Sequence, residues 1–470
     1  MLGSGIAFLD TTVVNVALPT IGEDLDAGIA SLQWVVNAYT LTLSGFLLLG
    51  GSLGDHYGRR KVFVLGVVWF AAASLLCGLA PSDEALIAAR ALQGVGGALL
   101  TPGSLAIIEA SFRREDRGPA IGAWSGLGGV TAAIGPFVGG WLVQAATWRL
   151  IFLINLPLAA VVVWVSLRHV PESRDPGATG RLDWPGAALA AAGLAGVVYA
   201  LTDGPVRGWT SPPILAAGLV GLASLAAFLL WERQSAAPML PLDIFASRQF
   251  SAANAVTFVV YGALGGSLFL MPIQLQRVVG YSPLASGVAL VPITLVLLLL
   301  SARAGRLASR IGPRLPMTLG PLGVAAGFLL FTRIGPGASY LVDILPASLV
   351  YGLGLTLTVA PLTSTVLAAA PAEHAGIASA VNNDVARTAG LLAVAVLPVA
   401  AGISGADALE PATFAAGFRT AMTIAAALCA AGGLLSWLAI RNPEPEPADH
   451  PMSCPLSAPP PGRPAPSRTA

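Results

Sequence analysis

The sequence predicts an all-α polytopic membrane protein with fourteen transmembrane helices, arranged as two pseudo-symmetric six-helix bundles plus two extra central helices. Three observations carry this. The chain is 55% hydrophobic and only 10% charged, with a mean hydropathy of +0.76. A soluble globular protein carries about 25% charged residues, so this chain has too little polar surface to cover itself in water. The second observation is a succession of long apolar runs. The third is a repeat: Gly51-Ser-Leu-Gly-Asp55-His-Tyr-Gly58-Arg59-Arg60-Lys61 returns, worn, as Gly305-Arg-Leu307-Ala-Ser309-Arg310-Ile-Gly312-Pro-Arg314. Aligning Gly51 with Gly305 also aligns Leu53 with Leu307, Gly58 with Gly312 and Arg60 with Arg314, a constant offset of 254 residues. A glycine- and arginine-rich turn repeated between hydrophobic spans marks a duplicated membrane bundle, the usual build of secondary transporters.

About 20 apolar residues are needed to cross the hydrocarbon core, and each run meets that length in turn. The first, 2–20, contains Asp10 and stops before the acidic loop of Glu23, Asp24 and Asp26. Spans two and three, 32–53 and 62–80, flank the first copy of the repeated turn. Asp83 and Glu84 mark the start of span four, 84–107, and Arg113, Arg114 and Arg117 precede span five, 119–144. Span six covers 149–167. Spans seven and eight, 185–202 and 213–231, are joined through Gly204-Pro205 and Pro212-Pro213, which blur their boundary. Spans nine and ten, 251–273 and 283–302, lead into the second copy of the turn. Spans eleven to fourteen follow at 315–332, 339–361, 376–402 and 413–440.

Spans three to ten separate the two copies of the turn, eight where a plain six-plus-six bundle would have six. The excess is the pair seven and eight, set between the halves. The division is therefore an N-terminal bundle at 1–168, a linker with two inserted helices at 169–250, a C-terminal bundle at 251–440 and a tail at 441–470. The tail is rich in Pro, Ser and Ala without apolar periodicity, which predicts disorder. The N-terminus lacks a cleavable signal, since Asp10 interrupts the apolar run and no polar leader precedes it. Only nine residues stand before Asp10, which suggests a start further upstream.

An even number of spans puts both termini on one side. Basic residues fix which side: 18 of the 25 Lys and Arg fall in loops and tail on the termini side, and the acidic clusters mark loops on the other. Both termini are thus expected in the cytoplasm. Lys61 is the only lysine in a chain heavy in Ala, Gly, Pro and Arg. That usage points to a GC-rich bacterial genome and so to a bacterial cell (inner or plasma) membrane.

Several functions are disfavoured. Net charge is +1 and the basic residues are scattered in short loops, which argues against a nucleic-acid partner. Cys77, Cys429 and Cys454 have no ligand spacing, so neither a metal site nor a disulfide frame is expected. No Gly-x4-Gly-Lys-Ser/Thr pattern supplies ATP chemistry. No catalytic residue or cofactor is expected, and the chain is expected to act as a monomer driven by an ion gradient.

Function is sought in intramembrane charge, because each ionisable group there is costly. Asp10 lies about ten residues from the outer end of span one, near the bilayer midplane at roughly 1.5 Å per residue. Desolvation disfavours a charged carboxyl group and a nearby cation favours it, so such an Asp exchanges a proton if its surroundings alternate between wet and dry. A polar residue that only packs helices is an equally fair reading. Arg90, six residues into span four, cannot shed its charge. It is either one partner of a fixed ion pair or a cation that tunes a protonatable Asp, the reading favoured by the glycines Gly94, Gly96 and Gly97 beside it. Asp384 and Arg387 in span thirteen are spaced i,i+3 and can neutralise each other on one helix face; a place on the substrate path is the weaker reading.

Span five holds seven glycines between Gly122 and Gly140, including Gly135-Pro136-Phe-Val-Gly139-Gly140. Small residues allow close helix approach, and the proline bends the helix. In the repeated turn, Asp55 and Arg59 flank a glycine turn. An Arg cluster there can bridge to the neighbouring half as a charge latch that holds one conformation. The second copy has Ser309 in place of the Asp, so the latch belongs to the N-terminal copy.

These motifs together resemble the major facilitator superfamily, in its fourteen-span drug:proton antiporter group. Gly51–Lys61, with Gly51, Asp55, Gly58, Arg59 and Arg60, is similar to the family's loop 2–3 signature. Leu86–Ala98 is similar to its span-four motif with the central Arg90, and Gly135–Gly140 to its span-five antiporter motif. Leu9-Asp10-Thr11-Thr12-Val-Val-Asn15-Val-Ala-Leu-Pro19 is similar to the first-span motif. Further matches are Trp148–Pro157, Leu182–Gly186 and Leu275–Pro283. Asp384 departs from the family, which has a small or hydroxyl residue there. The resemblance implies alternating access between the two bundles and export of a small amphipathic compound driven by inward proton flow. It implies proton coupling at Asp10 with Arg90, a conformational latch at the loop motif, and a substrate path that includes Asn15, Gln93, Asp384 and Arg387. The alternatives are a proton-coupled importer of a small solute, which the span-five antiporter motif counts against, and a transport-dead membrane receptor or scaffold.

Overall fold

The computed structural model describes residues 2–112, 114–174, 182–235, 238–370 and 375–442. The tail from 443 onward, with its predicted disorder, Arg113, and the loop 175–181 with Arg181 lie outside the described residues. Regular structure among the described residues is entirely helical. Without water to satisfy peptide groups, an apolar run in a bilayer must close its hydrogen bonds within one helix.

Seven helices form the N-terminal half: α1 (Leu2–Asp24), α2 (Ile29–Tyr57), α3 (Arg59–Gly78), α4 (Asp83–Ser111), α5 (Arg114–Ala145), α6 (Leu150–Leu153) and α7 (Asn155–His169). The inserted pair is α8 (Trp184–Arg207) and α9 (Pro212–Gln234). The C-terminal half contains α10 (Arg248–Ile273), α11 (Pro283–Ala289), α12 (Val291–Ile311), α13 (Arg314–Phe331), α14 (Leu345–Ala368), α15 (Ala375–Ala400) and α16 (Pro411–Ala439). Pairs α6–α7 and α11–α12 each make one crossing. Thirteen crossings among the described residues are long and apolar enough for a bilayer, and α5, with 32 residues, takes the fifth position.

The two broken crossings differ from the unbroken spans six and ten read from the sequence, and proline accounts for both. Pro157 has no N–H for the carbonyl of Leu153, where α6 stops. Pro292 likewise leaves the carbonyl of Val288 without its helical donor, and the chain turns at Leu290 before α12 resumes.

Helix α12 runs to Ile311, past the expected end at 302, so much of the second loop motif is helical. The two motif copies then match in backbone geometry. Gly58 ends α2 with φ +114°, and Gly312 ends α12 with φ +84°. Only glycine adopts such φ values readily. Each copy is fastened by a side chain from the segment after the last helix of its own half. The Arg60 N–H donates to Glu172 Oε1 at 3.0 Å, and the Arg314 N–H donates to Asn442 Oδ1 at 3.1 Å. The duplication is thus visible in contacts as well as in sequence.

Helix α8 closes the seam between the halves on one side. Its Leu194 and Val198 pack with Leu41 of α2 and with Leu391 and Ala395 of α15. Gly45 permits the approach, since a side chain there would start 2.9 Å from Ala191 Cβ. Trp34 Nε1 donates to Asp203 Oδ2 at 2.7 Å, which fixes the far end of the contact. Outside α8 lies α9, whose Leu215, Leu219, Val220, Leu222 and Leu230 are exposed, as a lipid-facing helix requires.

Polar contacts between the two six-helix halves gather on the face opposite the chain termini. Gln33 Nε2 donates to the Val394 carbonyl at 2.6 Å, and Gln276 Nε2 donates to the Val16 carbonyl at 2.8 Å. Arg277 pairs with Glu23 at 3.4 Å. On the same face, a side chain at Gly140 would meet Leu284 Cα and the Pro283 carbonyl, each at 2.6 Å, and one at Gly287 would strike the Pro136 carbonyl.

Candidate functional site

Asp10 sits in the middle of α1 and is 1% exposed; Arg90 of α4 is equally buried. Arg90 Nη1 donates to Asp10 Oδ2 at 2.5 Å. The other carboxylate oxygen, Oδ1, accepts from Gln93 Nε2 at 2.8 Å and from Asn155 Nδ2 at 3.0 Å. Gln93 follows Arg90 by three residues, so both stand on one face of α4. Asn155 is aimed by the break before α7. Ser74 of α3 ties the amides together, accepting from Gln93 Nε2 at 2.8 Å and Asn155 Nδ2 at 3.3 Å. It donates in turn to the Phe70 carbonyl.

Arg90 is equally well held. Nε donates to the Val35 carbonyl at 3.0 Å, and Nη1 also donates to Gln93 Oε1 at 2.5 Å. Its guanidinium lies 4.3 Å from the ring centre of Tyr39 and 5.8 Å from that of Phe152, where cation–π attraction adds to the pairing. Every ionised oxygen in the cluster has a donor, which is what an ion pair removed from water requires. Among the described residues, Asn155 Oδ1 is the amide oxygen of the cluster left without a partner.

A cavity lies beside this cluster, on the termini side of the contacts between the halves. Ser4, Ala7, Phe8 and Thr11 of α1, Tyr39 of α2 and Thr101 of α4 line it, and Arg387 of α15 enters from the C-terminal half. Its solvent space is about 20 Å³, room for little more than one water molecule and far below the roughly 300–1,000 Å³ of sites that enclose a drug-sized ligand. In this conformation it can therefore take only a small polar group, and a larger ligand requires the halves to part further. Tyr39 belongs to both structures, with its ring on Arg90 and its side chain in the cavity wall.

Among the residues singled out from the sequence, Asp10, Arg90 and Gln93 come together. Asn15 does not join them: five residues on, it points about 140° around α1 from Asp10 at 100° per residue, and it makes no hydrogen bond among the described residues. Asp384 and Arg387 do not pair despite their i,i+3 spacing. Arg387 reaches the cavity, while Asp384 Oδ1 is buried without a partner. Gly135 and Gly139 let α5 lie against α1, where side chains would strike Thr12 and Val13, and Pro136 and Gly140 meet α11.

In the loop motif, Arg59 Nε donates to Asp55 Oδ1 at 2.8 Å across the Gly58 turn. Arg60 Nη1 donates to the Val170 carbonyl at 3.0 Å. No hydrogen bond or ion pair of Asp55, Arg59 or Arg60 reaches the C-terminal bundle among the described residues, so in this conformation these three do not make the bridge expected to the other half. Its partner is instead the segment 170–173, with Glu172, which the sequence reading did not single out. Ser74, Tyr39 and Asn155 were missed as well; the available signal was a polar residue inside an apolar run, in Asn155 just ahead of a proline.

The fold and the buried pair define a polytopic membrane transporter. Residues 1–395 match the family model of the Major Facilitator Superfamily, and the chain belongs to that family. It is 36% identical to the puromycin resistance protein pur8 of Streptomyces alboniger, over 93% of this chain and 89% of that one. It is 35% identical to the methylenomycin A resistance protein of Bacillus subtilis (strain 168), over 93% and 92%. With the tetracenomycin C resistance and export protein of Streptomyces glaucescens it shares 34% identity, over 85% and 74%. Among solved structures, a bacterial homologue of the human lysosomal transporter Spinster, inward-facing and unoccupied, superposes with a TM-score of 0.67 at 16% identity, covering 93% of this chain and 95% of that one. The chain is a multi-pass membrane transporter and not an enzyme.

Proposed function

We propose that this chain exports small amphipathic compounds by proton-coupled antiport, with alternating access between its two bundles. The observation that carries the reading is the Asp10–Arg90 pair, fully buried and joined to the cavity through Tyr39. Relatives that confer antibiotic resistance support the direction of transport. On this reading both termini are cytoplasmic, and the contacts opposite them close the outer side while the cavity faces inward. Asp10 takes up the coupling proton when rearrangement of α1 against α4 separates it from Arg90. Neutralised, it no longer holds Arg90, and the change reaches the cavity through the Tyr39 ring. Arg90 holds Asp10 in its charged form between turnovers, and Gln93 and Asn155 keep the carboxylate oriented.

The test is export of a dye from cells, with and without an uncoupler. Wild-type cells should gain dye when the gradient collapses. Asp10→Asn, at equal membrane abundance, should lose gradient-driven export, a fall of at least about ten-fold, as expected where one interaction of roughly 1.4 kcal/mol or more is removed from the cycle. Full gradient-driven export by that variant would refute the role of Asp10. Loss of dye on uncoupling would instead mark an importer.

A further inference from the structure

Among the described residues Arg387 is the only charged one that lines the cavity, and no ion pair or hydrogen bond among them occupies its guanidinium. A partner of opposite charge lies one turn away in Asp384, yet the two do not pair. A guanidinium offers five donors and cannot be neutralised by losing a proton. Inside a membrane bundle, such a group is stable only beside an anion, carbonyl oxygens or water. Two hydroxyls in the wall make no close hydrogen bond among the described residues, Thr101 Oγ1 and Tyr39 Oη, the latter with the Thr11 hydroxyl beside it. Tyr39 is 1% exposed, so its hydroxyl can reach only the cavity and the Thr11 hydroxyl in the cavity wall. Ala7 and Phe8 of α1 add an apolar surface to the lining.

Asp10 is spent on Arg90, behind the Tyr39 ring. Asp384 is near enough to feel the Arg387 charge, but it forms no ion pair with it among the described residues and does not line the space. The cavity therefore presents one cation, the hydroxyls of Tyr39 and Thr101 and an aromatic face.

We infer that Arg387 is a substrate-selecting residue and that the preferred cargo is an amphipathic anion. It would place a carboxylate, or another oxyanion of like geometry, on the Arg387 guanidinium and the hydroxyls of Tyr39 and Thr101, with its apolar body against Phe8. This deepens the exporter reading by naming a substrate class, and rests on it only for the direction of transport.

The experiment uses the full chain in lipid nanodiscs and two probes of one shape, naphthoate and its uncharged amide, with retention measured by equilibrium dialysis. Wild type should hold naphthoate about ten-fold more tightly than the amide, the least that a charge-assisted hydrogen bond of about 1.5 kcal/mol gives. Arg387→Gln should abolish that preference, and Arg387→Lys should keep part of it. Tyr39→Phe and Thr101→Val, which leave the charge in place, should each reduce it. Equal retention of the two probes, no retention of naphthoate, or a preference that survives Arg387→Gln overturns the inference. Inverted vesicles separate it from the exporter reading. If naphthoate binds as described but a proton gradient does not drive its uptake, the site assignment stands and proton-coupled export fails.

Discussion

Arg90 shows at the scale of a residue why charge inside a membrane is informative and incomplete. Its position alone says that an acceptor must exist, and Asp10 is the acceptor, 80 positions away in the chain. Pairing across that distance depends on how α1 and α4 are rotated, which no spacing rule reports. Where a spacing rule did apply, at Asp384 and Arg387, tertiary packing overrode it: the cavity draws the guanidinium one way and burial takes the carboxyl another. Removing one member of a buried pair leaves an uncompensated charge and costs about 3–5 kcal/mol. Arg90→Ala should therefore lower the melting temperature in detergent sharply. Adding Asp10→Asn should recover most of the loss, because the neutral amide no longer needs a cation and can still bond to Gln93 and Asn155. An equal drop in the single and double variants would show that Arg90 matters through packing against Tyr39 and Phe152, not through charge. The amides of the cluster were less legible than its charges. Asn155 carries no charge to mark it, and its role emerges only when the chain breaks between α6 and α7 and turns it toward Asp10.

At the scale of an element, the loop motif separates glycines that the sequence presents as alike. Gly58 has φ +114° and Glu172 Oε1 would lie 2.7 Å from an added Cβ. Gly305 lies within α12 with nothing inside 4 Å of that position. Gly58→Ala should destabilise the protein by at least about 1–2 kcal/mol, the cost of a left-handed backbone for a residue with a Cβ. Gly305→Ala should be neutral or stabilising by about 0.5–1 kcal/mol, because alanine loses less backbone freedom in a helix. Thermal melting of the two variants side by side checks both signs; a loss for Gly305→Ala equal to that for Gly58→Ala would contradict this account. The repeat was readable because both copies keep the turn that ends one helix and starts the next. Their fasteners were not, because Glu172 and Asn442 stand far from the motif in sequence and differ in chemistry. The helices themselves were the most legible feature of all, since twenty apolar residues in a bilayer have few alternatives to a helix.

The whole molecule is two bundles with a side wall, and its asymmetry lies along the membrane normal. Contacts between the bundles collect opposite the termini, through Gln33, Gln276, Arg277 and the glycines of α5 and α11, while the cavity lies on the termini side. Helix α8 touches both bundles at their seam, with Leu194 and Val198 against α2 and α15, so relative motion of the halves must slide α2 or α15 along it. Small side chains at Gly45 and Ala191 suit such sliding, as close-packed helices without interlocking side chains do. Alternating access requires the contacts opposite the termini to open once per cycle. Arg277 and Glu23 sit 3.4 Å apart there, so cysteines at these two positions, in a chain freed of its own cysteines, should be joined by a short bifunctional thiol reagent in resting membranes. The joined protein should stop gradient-driven export, and cleaving the linker should restore it. Substrate binding from the cavity side should survive the link, because that side is not held. If instead the joined protein exports at the unlinked rate, the halves need not part on that face, and the route for cargo must run elsewhere.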